Sequence, residues 1–414
     1  AKLYRRQSYV FNFCVFFSWC GSPEATPTKK RSGGKRQTDV AAAHSGGMDD
    51  HDRPLFFHLM AYADDADRDV VDMVSGNPDW EPPTALREGL KRYAESDVDE
   101  FQYPPSEGLT ELRHAIADRE GVDPDRVVVT NGAGEANYLA MAAALDELGE
   151  EILMADPVYP YYNKRTELLD GTPRLVPAEP DGTLEPGAVR AAATDDTAAI
   201  VINSPNNPTG AVYGGETKRE LAAIAEANDA LLVSDEVYDR FVYEPGAFES
   251  ALTIDSDRVV VTNAFSKSMA ITGFRVGYGI FPPHLTDAVR TRHMLVNVAG
   301  SRPAQQAVLD AIAETPGSYY ERNRAMLDDR IGTFCAALEA AGAEYTRPQG
   351  GFYVMARFEG YPGTLENTER LIDEAGVAGM PGEAFGDSRS EWLRFAVVTP
   401  RAEAAADRLA AYFG

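Results

Sequence analysis

The chain has 414 residues, and 65 Asp and Glu against 39 Lys and Arg leave a formal charge of −26. That length accommodates two domains and a sizeable core, and 44% hydrophobic with 10% aromatic residues is a globular rather than a disordered composition. So acidic a chain is ill suited to nucleic acid or an anionic membrane, which select basic surfaces.

The charge is unevenly spread along the chain. Residues 1–47 carry eight basic and two acidic side chains, whereas 48–414 carry 31 basic and 63 acidic ones. Beyond the leader only Lys91, Lys164, Lys218 and Lys267 are lysines. An acidic, lysine-poor composition is similar to that of proteins from salt-loving organisms, where high ionic strength screens carboxylate repulsion. The leader starts like a secretory signal, with basic residues before the apolar stretch Tyr9–Cys20. That stretch is too short to span a bilayer. Residues 1–47 are read as a disordered or non-native leader with Met48 as the start, a targeting segment being the alternative. Cys14 and Cys20 lie in this leader, which leaves Cys335 alone in the body. A lone cysteine forms no internal disulfide and suits a cytoplasmic protein.

In the body, Pro83–Glu95 and Gly108–Arg119 have helical patterning. Short β-branched runs follow at Arg126–Thr130, Glu151–Ala155, Ala199–Asn203, Ala230–Ser234, Arg258–Thr262 and Arg275–Phe281. Helical stretches such as Tyr138–Leu148 and Glu216–Ala227 separate most of them. Alternation of this kind predicts an α/β fold with a mostly parallel sheet and helices on both faces. Two Ala-rich helices, Ser318–Ala341 and Arg401–Phe413, flank short strands near Phe352–Phe358 and Trp392–Val397. The expected division is a large domain over 96–316 and a smaller α+β domain from 48–95 and 317–414.

In open parallel sheets, ligands bind outside the carboxyl ends of the strands. Polar residues follow each predicted strand there. They are Asn131-Gly132-Ala133-Gly134-Glu135, Asp156-Pro157-Val158-Tyr159, Asn206-Asn207-Pro208-Thr209-Gly210, Asp235-Glu236-Val237-Tyr238 and Ser266-Lys267-Ser268, with Arg275 eight residues beyond Lys267. Each alone has a plain structural explanation: a strand-to-helix turn, aromatic packing, an Asn-Pro-Gly turn, a helix N-cap, a surface lysine. The glycine turn is also not a dinucleotide fingerprint. Their conjunction in this order is what points to one site.

Together with Gly273-Phe274-Arg275-Val276-Gly277-Tyr278 and Leu393-Arg394-Phe395, these motifs resemble the class I/II aminotransferases of the aspartate aminotransferase fold, over about residues 55–414. Such proteins are pyridoxal-phosphate enzymes of fold type I, transferases of nitrogenous groups. The resemblance implies Lys267 as the Schiff-base lysine and proton carrier at the substrate α-carbon. It places Asp235 against the pyridine nitrogen and Asn207 and Tyr238 on the ring's phenolic oxygen. Tyr159 takes the stacking position. Gly132, Ala133, Gly134, Ser266 and Arg275 surround the phosphate, and Tyr103 reaches it from a neighbouring subunit, which implies a homodimer with shared sites. Arg394 receives the substrate carboxylate as a bidentate guanidinium, with Asn207 and the backbone of Gly76, in the Ser75-Gly76-Asn77 loop, beside it. No metal ion is called for.

Two positions depart from the family pattern. Ala264 stands where many relatives have a phosphate-binding serine, three residues before the lysine. Glu135 follows Gly134 in a loop where some aspartate-specific relatives place a lysine, and would repel an acidic substrate side chain. The expected activity is transfer of an amino group between an amino acid and a 2-oxo acid by a ping-pong mechanism. A pyridoxal-phosphate lyase, decarboxylase or synthase on the same scaffold would share the same cofactor residues. A non-enzymatic cofactor-binding regulator domain would need an upstream winged helix, and the 47-residue leader lacks helix-turn-helix patterning.

Overall fold

Six β-branched runs form strands where the sequence predicts them, because a strand buried on both faces has no polar alternation to disguise it. The computed structural model describes residues 55–414; the leader and Met48 lie outside the described residues. Seven strands pair in the order Val127–Thr130, Gly277–Ile280, Val259–Ala264, Leu231–Asp235, Thr197–Asn203, Glu151–Asp156, Thr172–Pro177. The ladders are parallel except for the two that Gly277–Ile280 makes with its neighbours, which are antiparallel. Every residue of Thr197–Asn203, Leu231–Asp235 and Val259–Ala264 is buried. Side chains alternate between two cores: Leu231 and Val233 enter one, with the Ala133–Glu147 helix, and Leu232 enters the other, with the Gly215–Ala227 helix. Full burial of each such Val or Leu stabilises the fold by about 1.5–3 kcal/mol.

The seventh strand, Thr172–Pro177, escapes the sequence reading. It lies at the sheet edge, is mostly exposed and contains Pro173 and Pro177. Proline is tolerated there because an edge strand need not donate on both sides.

A second, antiparallel sheet orders Met380–Pro381, Leu393–Ala396, Tyr353–Arg357 and Glu344–Thr346. The helices Gly317–Ala340 and Ala402–Phe413 cover it through Phe334, Leu338 and Leu409, against Val354 and Phe395. Val71–Asp72 pairs in parallel with Val377–Ala378, which joins the early chain to this C-terminal part. The helix Thr84–Ala94 packs instead on Arg302–Glu314, where Arg92 pairs with Asp310 at 2.7 Å. Among the described residues no helix is long and apolar enough to cross a membrane.

The parallel ladders bring the strand ends to one edge. Asn203 lies opposite Asp235, and Asp235 opposite Thr262. The C-terminal sheet contributes Arg394 from its own strand, in register with Met355.

Candidate active site

The strand Val127–Thr130 ends in a turn that needs glycine. Gly132 has φ +83°, and a Cβ on it would lie 2.5 Å from an Arg275 Nη2. Gly277 is equally constrained: its Cβ would meet the Gly132 carbonyl carbon at 2.6 Å. The helix Ala133–Glu147 starts at this turn, and its first backbone N–H groups have no intrahelical acceptor. Arg275, exposed and in a left-handed conformation (φ +56°), donates to the Thr272 and Asn131 carbonyls at 3.0 and 2.9 Å. The turn therefore presents free N–H groups, a helix dipole and a guanidinium to the same space, a combination that binds oxyanions.

Asp235 ends the central strand and is 4% exposed. Its Oδ2 accepts from Asn137 Nδ2 and the Tyr162 hydroxyl, both at 2.6 Å, and its Oδ1 from the Val237 backbone at 3.1 Å. Thr262 orients Asn137 by donating to its amide oxygen at 2.7 Å. Burial pushes the Asp235 carboxyl above its ordinary value, and the bonds from Tyr162 and Asn137 pull it back. Asn137 and Tyr162 were not found from sequence. The available signal was a lone Asn among Ala, Leu and Met in the helix that follows the glycine turn.

Lys267 sits in the short helix Phe265–Ser268, and its Nζ donates to the Gly76 carbonyl at 2.7 Å. Burial, with smaller contributions from Arg394 and Arg275, pushes its pKa down to about 8. The Gly76 loop lies tight against this region: a Cβ there would be 2.1 Å from the Tyr353 hydroxyl. The Tyr353 hydroxyl also lies 3.2 Å from that of Tyr238. Burial raises Tyr238 well above an ordinary phenol.

Arg394 is 3% exposed and donates from Nη2 to the Val74 carbonyl and from Nη1 to Asn207 Oδ1, at 2.5 and 3.2 Å. Its guanidinium packs over the Tyr353 and Phe385 rings at 4.5 and 5.1 Å, and its buried Nε has no partner. No carboxylate pairs with it among the described residues. Such a buried cation is costly unless an anion completes it, and burial lowers its pKa accordingly.

The structure thus brings Lys267 to Gly76, Asn207 to Arg394, and Arg275 to Gly132. Tyr159 lies at the same sheet edge, packed on Tyr161 and Tyr162 with ring centroids 5.0 and 6.0 Å away. Ser266 is buried next to Lys267. Tyr103 does not join this group; it is 83% exposed. Glu135 Oε2 accepts from the Asn131 backbone at 2.6 Å, and its Oε1 is engaged by His293 Nδ1 at 2.6 Å and by Asn297. Both Glu135 oxygens are thus held within the fold, which fixes where this carboxylate sits.

A parallel sheet ending in a glycine turn, a buried acid, a lysine of lowered pKa and an unpaired buried arginine define a cofactor-dependent enzyme that handles carboxylate-bearing substrates. The chain belongs to the aminotransferase class I and II family, whose model matches residues 68–411, and it is a pyridoxal-phosphate-dependent aminotransferase. It is 34% identical over 351 residues to an aspartate aminotransferase of Thermotoga maritima, spanning 82% of this chain and 90% of that protein. It is 32% identical to the aspartate/prephenate aminotransferase of Thermus thermophilus, over 84% of this chain and 91% of that one. The solved aspartate aminotransferase from Thermus thermophilus with maleate superimposes with a TM-score of 0.80 at 30% identity, covering 86% of this chain and 96% of that one. An aromatic aminotransferase from Pyrococcus horikoshii gives 0.78 at 29% identity, over 86% of this chain and 98% of that one.

The residues present fit that cofactor. A cradle that a Cβ would fill at Gly132, free N–H groups beside it and Arg275 suit a phosphate, and the Asp235 carboxylate has one face left for a protonated ring nitrogen. When bound, the cofactor supplies an electron sink for the charge left at the substrate's α-carbon.

Proposed function

We propose that this chain moves an amino group between an L-amino acid and a 2-oxo acid by a ping-pong mechanism, with aspartate as a donor. The observation that carries the reading is Arg394, a buried guanidinium with no acidic partner among the described residues and an orphaned Nε. It suits a substrate α-carboxylate, held jointly with Asn207 and the Gly76 backbone. Lys267 would hold the cofactor through its aldehyde and move the proton at the α-carbon, for which a pKa of about 8 is well placed. Asp235, fixed by Asn137 and Tyr162, keeps the pyridine nitrogen protonated. Asn207 and Tyr238 donate to the ring oxygen, and Tyr159 stacks on the ring. Gly132, Ala133, Gly134, Ser266 and Arg275 hold the phosphate. The choice of aspartate rests on the names of the relatives. A spectral half-reaction screen against a panel of amino acids tests it. Aspartate is expected to discharge the visible band and to release its 2-oxo acid. A panel in which no amino acid discharges the band, or in which the product has lost a substituent or carbon dioxide, would overturn transamination.

The same reading extends to the solution state. Tyr103, 83% exposed beside exposed Phe101 and Val98, suits a hydroxyl presented to a second copy's phosphate, and so a homodimer. The 31 basic and 63 acidic residues of 48–414 suit a protein working in concentrated salt, and the lone Cys335 a cytoplasmic one. Separate cores under the two sheets support a large domain over 96–316 and a smaller one from 48–95 and 317–414, except that the helix Thr84–Ala94 joins the core of the large one through Leu86. Sedimentation and activity across a salt series check the first two points together. A species of twice the 45.0 kDa chain mass, active at molar salt and losing activity on dilution, is expected. A fully active monomer in dilute buffer would remove both.

A further inference from the structure

We propose that Arg165 is a second guanidinium of the phosphate site, set against Gly134 as Arg275 is set against Gly132. The inference rests on the reading that this turn holds the cofactor's phosphate. Arg165 lies on the helix Pro160–Leu168, which the sequence reading did not find. Its Nη2 lies 3.0 Å, and its Cζ 4.0 Å, from where a Cβ on Gly134 would be. The guanidinium therefore occupies the space a side chain at Gly134 would take, within the first turn of the Ala133–Glu147 helix. Arg275 does the same at Gly132, where its Nη2 would be 2.5 Å from a Cβ. The two glycines thus leave room for one arginine each.

Arg165 forms no ion pair among the described residues, although it lies near enough to the Asp235 carboxyl to pull its pKa down. Its guanidinium lies near the rings of Tyr161 and Tyr162, at 5.8 and 6.0 Å. The two nearby acids are already committed, Glu135 to Asn131, His293 and Asn297, and Asp235 to Asn137 and Tyr162. A cation beside the positive end of a helix is repelled by the dipole. In a chain with 65 acidic side chains, an arginine placed there without an ion pair leaves its fork available to an anion that satisfies both. The phosphate is that anion. Ala264 adds to the case, because it supplies no hydroxyl where the expected cup has one. A planar fork at Gly134 restores donors and adds charge that a serine would not.

The test is cofactor affinity, measured by absorbance titration of apoprotein with pyridoxal phosphate and with pyridoxal, which lacks the phosphate. Arg165→Gln is expected to weaken pyridoxal phosphate binding about 10- to 100-fold, the range for a lost charge-assisted hydrogen bond. Pyridoxal binding should stay unchanged. Arg165→Lys keeps the charge without the fork and should fall between, and it serves also if the glutamine variant folds poorly. Equal losses for both ligands, or none, would overturn the proposal. So would unchanged cofactor affinity with a loss of kcat/KM confined to acidic amino acids, which would assign the guanidinium to the substrate's side chain. If wild-type protein forms no visible band with pyridoxal phosphate at all, the cofactor reading itself has failed, an outcome distinct from either.

Discussion

Lys267→Ala is expected to give a folded protein that shows no lysine-linked visible band with pyridoxal phosphate and transaminates about 10⁴-fold more slowly or worse. The size follows from two losses at one atom. In the proposed role the amine is the covalent attachment to the cofactor, and also the base that moves the proton at the α-carbon. Neither neighbour can substitute. Gly76 offers only a carbonyl to Nζ, and Asp235 is tied down by Asn137 and Tyr162. The pH dependence carries the same signature with a definite sign. Burial and two arginines lower the pKa to about 8 from 10.5, so the reactive neutral amine accumulates as pH rises through about 8. Cofactor capture by wild-type apoprotein should therefore climb through that range and be level by pH 10. Absorbance spectra and single-turnover rates check both points. A variant that keeps the band, or transaminates within tenfold of wild type, would remove Lys267 from this role.

Most of the large sheet was legible because its strands are buried on both faces. Val259-Val260-Val261 and Ile200-Val201-Ile202 have no polar alternation to confuse with a helix, and the turn that follows each is polar. Site residues were legible for the same reason: Asp235 and Lys267 follow the strand ends directly. What stayed hidden depends on distance in the chain. Tyr162 bonds to Asp235 across 73 residues, and Tyr353 meets Tyr238 across 115. No local pattern announces either pairing. Arg165 was hidden twice over, because its helix was not expected and its significance depends on an empty Cβ position at Gly134.

Glu135 shows what a linear motif leaves out. Read as a sequence, it is a carboxylate beside the phosphate turn. In the fold it is the third residue of its helix, where a glutamate folds back onto the backbone that precedes the helix, here the Asn131 N–H. His293, fully buried, and Asn297 then take its other oxygen. The four-residue spacing of Asn131 and Glu135 was present in the sequence, but the distant partners His293 and Asn297 were not foreseeable from it.

Arg394→Gln should lower kcat/KM for the amino acid about 30- to 1000-fold, corresponding to about 2–4 kcal/mol, while leaving the cofactor bound. The magnitude is set by the environment. Arg394 is enclosed by Tyr353 and Phe385, is 3% exposed and uses Nη1 and Nη2 on Asn207 and the Val74 carbonyl. Those two bonds orient the guanidinium without neutralising it, so the substrate carboxylate is the one group that supplies the missing charge. Glutamine keeps a donor and an acceptor but removes that charge and the fork. Lysine should recover little of the loss, since an ammonium cannot make the planar two-point contact. The effect should fall mainly on KM, because the carboxylate is bound alike in ground and transition states. A loss confined to kcat would instead mean that Arg394 acts on the reacting atoms, and unchanged kcat/KM would mean that the orphaned Nε has a structural explanation.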